Sequence, residues 1–426
     1  MTQASRPTLF VNARIVDPAS GRDEPGELFV AGGRIAPPGP AGEALVVDCE
    51  GQALLPGLID MRVSTGEPGS EHRETIRSAG NAAMRGGITS IVLQPDTSPV
   101  IDDAALVTYV RQRGLDQTRV RVLPAGACTR GLKGREMAEI GLMDEAGAIL
   151  FTNGAAPVRD TRVMQRILSY ASAFGALVAS RPEDPALADG AVMHAGELAS
   201  RLGLAGLPAA AESIIAERDI ELAALTGGRL LLDMVSAEAT LERLERARAR
   251  GIEVSASVSV HHLTLNETDV GDYRTFAKLS PPLRREQDRL ALVDAVRSGL
   301  IEAVVSGHDP RPAEEKRLPF DEAAFGASAL ETLLPALLNL YHNGSVELID
   351  LIRPVTSGPA QLLGLETGTL AQGAPADVIL VDLGWPFRFD AATMVSKSRN
   401  SPYDGHRLQG RVLGTWVGGE QVYSAD

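Results

Sequence analysis

The chain reads as an α/β protein: a parallel (β/α)8 TIM barrel in the middle, with a small composite β-sheet domain built from both ends. Three observations carry that expectation. Short apolar, β-branched runs alternate with helical patterns through the middle; most of the helical patterns stop at Gly; and the two ends carry only β-like runs broken by Gly, Pro and Asp.

Taken in order, "TLFVNARIVD", "GELFVAGGRIA" and "ALVVDCEGQALLPG" are short strands of an antiparallel sheet, and "ADVILVDLG" and "GRVLGTWVGGEQVY" near the other end have the same character. Residues 1–55 and 360–426 are therefore assigned to one composite β domain, and 56–359 to the barrel. The barrel strands are "LIDMRVS", "SIVLQP", "VRVLPAG", "AILFTN", "ALVASR", "RLLLDMVS", "IEVSASVS" and "IEAVVSGH". Between them, segments such as "ETIRSAGNAAMRGG", "RVMQRILSYASAFG" and "EATLERLERARARG" repeat apolar residues at helical spacing and end in Gly. A doubly wound open sheet fits less well, because it rarely needs eight such repeats. "HDPRPAEEKRLP" reads as a surface loop after the eighth strand.

Composition narrows the function. With 426 residues, 44% hydrophobic and 23% charged, the chain has ordinary globular proportions. It has no run of 18 apolar residues, and "MTQASRPTLF" has no basic stretch followed by an apolar core, so neither a membrane helix nor a signal peptide is expected and the cytoplasm is the expected location. The formal charge of −14 argues against nucleic acid and anionic membranes as partners. Cys49 and Cys128 are too few and too scattered for a disulfide framework or a thiolate zinc site, and read as buried small hydrophobes.

Functional residues of a TIM barrel sit at the C-terminal ends of its strands. Here those ends hold Arg62 and Ser64, Asp96, Thr152 and Asn153, Ser180 and Arg181, Asp233 and Met234, His261 and His262, and Ser306 to Asp309. A catalytic zinc takes about three protein ligands and keeps one position open. Among the seven His residues there is no His-x-His and no His-x-x-x-His pair. His261 and His262 are adjacent, so on a strand only one could face the mouth. His308 with Asp309 is the best remaining strand-end position and a weak metal signal. No Gly-x-Ser-x-Gly elbow, phosphate loop or dinucleotide fingerprint occurs; "GGRIAPPG" is a turn between strands, and "LERLERARARG" a solvated helix face.

Several motifs in fixed order resemble the dihydroorotase family of the amidohydrolase superfamily. They are "PGLIDMRV" with "EPG", "RGGITSIVLQPDTSPVID", "VMHAGELASRLGLAGLPAAAESIIAERDIELAALTG", "HHL", "SPPLR", "FDEAAFGASALETLLP" and "SKSRNSPYDGHRLQGRV", spanning nearly the whole chain. The resemblance implies zinc held by His-x-His on the first strand, a bridging carboxylate, two further His, a strand-eight Asp as ligand and general base, an Arg for the substrate carboxylate, and two Asn at fixed positions. At those positions this chain has Arg62 and Ser64, Asn153, Arg181 and Met234, Gly307, and then Gly66, Asp96 and Ser280. Guanidinium groups stay protonated and repel a metal ion, while Met and Gly offer no hard donor.

The expectation drawn from these replacements is a pseudoenzyme with no cofactor: the family's zinc ligands, general base and substrate Arg are all gone. The resemblance then implies a structural, stabilising partner of the catalytic chain of aspartate carbamoyltransferase in de novo pyrimidine biosynthesis, in a hetero-oligomer of roughly six plus six chains. One alternative is an active dihydroorotase, a cyclic amide hydrolase for carbamoyl-aspartate and dihydroorotate, with a rebuilt site. Another is a metal-free regulator whose Arg62 and Arg181 bind an anion; against it, the two arginines would merely fill the pocket and pair with Asp96 or Asp233. His261 and His262 are expected to pack rather than catalyse, and Lys397, Ser398 and Asn400 to tie the terminal sheet to the barrel.

Overall fold

The computed structural model describes residues 6–39 and 44–425; residues 1–5, the start of the segment read above as lacking a signal peptide, lie outside them. Leu58–Val63 forms the first barrel strand and pairs in parallel with Ile88–Leu93, which pairs with Arg121–Pro124. The chain continues through Gly126–Ala127 to Phe151–Thr152, then Leu177–Ser180, Arg229–Leu232, Val254–Ser259 and Ala303–Val305, each parallel to the one before. A bridge between Val63 and His308, with the Ser64 amide donating to the His308 carbonyl at 2.8 Å, closes the ring. Strand order follows sequence order, as a (β/α)8 barrel requires, so the predicted fold class holds.

Local chemistry explains why the strands and helices alternate. Strands buried on both faces, such as "ITSIVL", read as continuous apolar runs because helices cover them outside and packed side chains fill them inside. The helix Ile76–Arg85 starts at a capping box in which Thr75 and Ser78 satisfy each other's backbone amides, and it buries Ile76, Ala79, Ala82 and Ala83. The helix Ala210–Thr226 stops at Gly227, whose φ of 66° is the left-handed conformation that favours glycine.

Strands from both ends share one eight-stranded sheet. Val378–Arg388 pairs antiparallel with Ala53–Pro56 on one side and Arg407–Val417 on the other. Phe10 and Trp416 meet edge to face at 4.9 Å in its core. Ala53–Pro56 runs almost directly into the first barrel strand. Buried Asp377 fastens the join, accepting from Arg121 at 2.8 Å and from the Gly418 amide at 2.8 Å. Among the described residues, no helix is long and apolar enough to cross a membrane.

Candidate active site at the barrel mouth

The C-terminal ends of the strands open onto a cavity of about 210 Å³. Seven of the nine predicted site positions line it: Arg62, Ser64, Asp96, Arg181, Met234, Ser280 and Gly307. The other two do not. Asn153 turns into the surrounding loops, where its amide donates to the Leu132 and Ala156 carbonyls at 3.1 Å and its oxygen accepts from Thr129 at 2.6 Å. Gly66 belongs to a turn so tight that a Cβ there would lie 1.7 Å from the Ser70 carbonyl oxygen. No side chain fits, so the family's arginine has no room in this turn. A second cavity, of about 290 Å³, lies beside Trp385 at the edge of the terminal sheet. None of the nine positions reaches it, and its Arg85 is already paired with Glu331 at 3.1 Å, so we place the chemistry at the barrel mouth.

One half of the mouth is cationic and closed. Arg62, 7% exposed, reaches from the first strand to an ion pair with Asp233 at the end of the sixth, and also donates to Gln94 at 3.3 Å. Of the two partners expected for it, Asp233 is the one used. Ser257 donates to the other Asp233 oxygen at 2.8 Å, so the carboxylate is well satisfied. Arg181, 4% exposed, is less compensated: it donates to Ser280 at 2.6 Å, and its carboxylate neighbour, Glu183, stands 3.7 Å away. Burial, together with the charge of Arg62, pulls the Arg181 pKa down despite Glu183.

The other half is acidic and open. Asp96 is exposed to the cavity, and its hydrogen bond comes from the Ser64 hydroxyl, 3.1 Å away. Although water reaches it, the carboxyl sits deep below the rim. That enclosure, with the charge of Asp309, pushes its pKa up against the opposing pull of Arg62. Asp309 is itself clamped by Arg311 at 2.7 Å. Sequence reasoning placed Arg311 on a surface loop, but the segment folds back over the mouth. Buried Lys316 pins it by donating to the Ala324 carbonyl at 2.7 Å, and Asn400 accepts from the Arg311 amide at 3.1 Å. The apolar residues of "RPAEEKRLPF" were too sparse to signal this.

His261 and His262 lie in a one-turn helix, Val260–Thr264, rather than on a strand. Both line the cavity, and the opposite-face argument therefore fails. Their tautomers follow from their partners. The Pro282 carbonyl can only accept, so His262 donates from Nε2 to it at 3.3 Å. Thr264 donates to the Val260 carbonyl, so Tyr403 donates to Thr264 at 2.6 Å and its oxygen accepts from His261 Nδ1 at 3.3 Å. Burial holds both rings neutral, with the pKa of His261 pushed down to about 3 and that of His262 to about 4. The Ala329 amide donates to His308 Nδ1 at 3.1 Å, so the proton sits on Nε2, which faces Glu74 at 3.7 Å.

The C-terminal motif, expected to tie the terminal sheet to the barrel, bonds to backbone carbonyls of barrel loops. Lys397 donates to the Glu71 carbonyl at 2.6 Å, Ser398 to the Arg73 carbonyl at 2.8 Å, and Asn400 to the Gly326 carbonyl at 2.9 Å.

The fold and the position of the cavity are those of an amidohydrolase-type barrel. L-hydantoinase from Arthrobacter aurescens is similar, with a TM-score of 0.88 at 25% identity, covering 98% of this chain and 96% of that one. Dihydropyrimidinase from Brevibacillus agri NCHU1002 has a TM-score of 0.84 at 21% identity, over 98% and 95%. The dihydro-orotase-like family matches residues 51–239, and the amidohydrolase family matches 156–422. A protein of Pelotomaculum thermopropionicum named dihydroorotase is 40% identical over 97% of this chain and 98% of its own length; another of that name from Anaplasma phagocytophilum is 38% identical over 98% and 95%. The chain belongs to the dihydroorotase family of the amidohydrolases.

These relatives correct two expectations. A non-catalytic chain is contradicted, because full-length relatives across several genera carry the enzyme's name. A cofactor-free protein is contradicted too, because the family points to a metal. The residues here nevertheless do not fit a metal at the family's position. Two guanidinium groups occupy it, Met234 and Gly307 add no hard donor, and among the described residues no three His, Cys, Asp or Glu come together as a ligand set. No step below therefore passes through a metal.

Proposed function

We propose that the chain is an active dihydroorotase with a rebuilt site, interconverting carbamoyl-aspartate and dihydroorotate at the barrel mouth. The observation that carries this is its 36–40% identity, along nearly the whole chain, to proteins named dihydroorotase. The mouth supports it through charge. Both compounds carry a carboxylate that stays outside the ring, and Arg181 is a buried cation with no carboxylate in hydrogen-bond contact. A guanidinium gives that carboxylate a two-pronged donor and fixes the direction of the ring. Arg62 serves a different end: paired with Asp233, it fills the centre of the mouth. With the carboxylate on the cationic half, the reacting amide lies toward Asp96.

Assay of the purified full chain in both directions tests this, with carbamoyl-aspartate and dihydroorotate separated by chromatography. Cyclisation and hydrolysis well above the rate without protein are expected, with a raised KM in Arg181→Met. Turnover no faster than the background in both directions would overturn the reading.

A further inference from the structure

Every titratable group on the cavity wall except Asp96 and Arg181 is committed elsewhere. Arg62 is bound to Asp233. Asp309 is clamped by Arg311 at 2.7 Å. His261 and His262 are buried neutral imidazoles whose N–H groups serve Tyr403 and the Pro282 carbonyl, so neither is an acid near neutral pH. His308 directs its N–H toward Glu74. Arg181 remains a permanent cation. Asp96 alone combines exposure to the cavity, a proton-accepting group and a single partner, the Ser64 hydroxyl.

Resting on the function proposed above, we infer that Asp96 is the catalytic proton shuttle of this site, oriented by Ser64, with Asp309 and Arg311 as positioning residues that set its proton affinity. In hydrolysis the Asp96 carboxylate takes a proton from water as the water oxygen bonds to the ring carbonyl carbon that lies between a ring nitrogen and the ring CH2. The tetrahedral intermediate then collapses. The carbon–nitrogen bond breaks, its electron pair goes to nitrogen, and Asp96 returns the proton there. The products are a terminal ureido NH2 and a new carboxyl group, which passes its proton to Asp96; Asp96 thus ends as the acid and loses that proton to solvent before the next turnover. Cyclisation runs the same path backwards and releases one water.

The charges facing Asp96 are Arg62, Asp309 and Arg311. Its raised proton affinity suits the role, since a carboxyl that titrates nearer to neutrality both accepts and returns a proton more readily. Microscopic reversibility gives opposite pH limbs. Hydrolysis needs the carboxylate and rises with pH through the Asp96 pKa; cyclisation needs the acid and falls through the same value.

Steady-state kinetics of the full chain, wild type against Asp96→Asn and Asp309→Asn, test this across pH. The family pattern has Asn at position 96, so the amide fits the fold. In Asp96→Asn, kcat is expected to fall about 100-fold or more, typical of losing a general acid–base group, with KM changed less than about threefold. In Asp309→Asn, removing the like charge lowers the Asp96 pKa, and both limbs move to lower pH. Active wild type with undiminished Asp96→Asn overturns this inference and leaves the proposed function standing, as do limbs that stay in place in Asp309→Asn. An inactive wild type removes both.

Discussion

The two halves of the barrel mouth are built on opposite plans. On one side, a buried pair is answered from within: Arg62, reaching over from strand one, by Asp233 on strand six, and Asp233 in turn by Ser257, with Arg181 on strand five as the cation left over. On the side of strands two and eight, Asp96 is open, and one hydroxyl holds it. A buried pair is a structural element whose cost is high only when one partner is removed, whereas an open carboxyl with unsatisfied capacity is free for chemistry. Where the family's pattern predicts a metal's positive charge, this chain has guanidinium charge. The difference between the halves teaches which of the replaced residues hold the scaffold and which are left to act.

The most damaging way to break the comparison is to uncouple the closed half. Arg62→Met leaves Asp233 buried and unpaired, and about 3–5 kcal/mol of stability should be lost in urea unfolding. Replacing both partners with apolar residues should recover most of it. Acid probes the same closed side and its surroundings. His194, His261 and His262 have folded pKa values pushed down to about 4, 3 and 4 by burial. The unfolded chain thus binds protons that the folded chain refuses, and stability falls as pH drops below about 6.5 toward those values, by up to about 1.4 kcal/mol per pH unit for each ring. Melting temperatures recorded between pH 8 and pH 4.5 check the sign; a flat profile contradicts it. Arg181→Met is expected to raise KM about tenfold, close to 1.4 kcal/mol of uniform binding, with kcat little changed. The smallest effect is expected from Tyr403→Phe, which removes the acceptor of His261 and the donor to Thr264, at about 1 kcal/mol, without altering the open half.

The barrel was legible because its signal is periodic: eight β-branched runs between helical segments ending in Gly leave few alternatives. Most of the site was legible by register, since strand ends point to the mouth, and Arg62, Ser64, Asp96, Arg181 and Gly307 all arrive there. What register cannot supply is the course of loops. Asn153 follows a strand of only two residues and turns outward into the Leu132 and Ala156 carbonyls. His261 and His262 leave their strand for a helical turn, started by the Ser259 cap, before either can alternate. Arg311 and Lys316 are charged residues in a Pro-rich stretch; Arg311 is held by the Asp309 carboxylate and the Asn400 side chain, and Lys316 by the Lys278 and Ala324 carbonyls. The inference from missing ligands to missing activity went astray differently. It treated the family's ligand positions as the only source of chemistry, whereas Asp96 offers an open carboxyl outside that ligand set.

The most direct measurement is the rate at which the purified full chain converts carbamoyl-aspartate to dihydroorotate, wild type beside Asp96→Asn in the same preparation. The account predicts turnover by the wild type and a loss of about 100-fold or more in the variant. A wild type that does not exceed the rate without protein, in either direction, would contradict it.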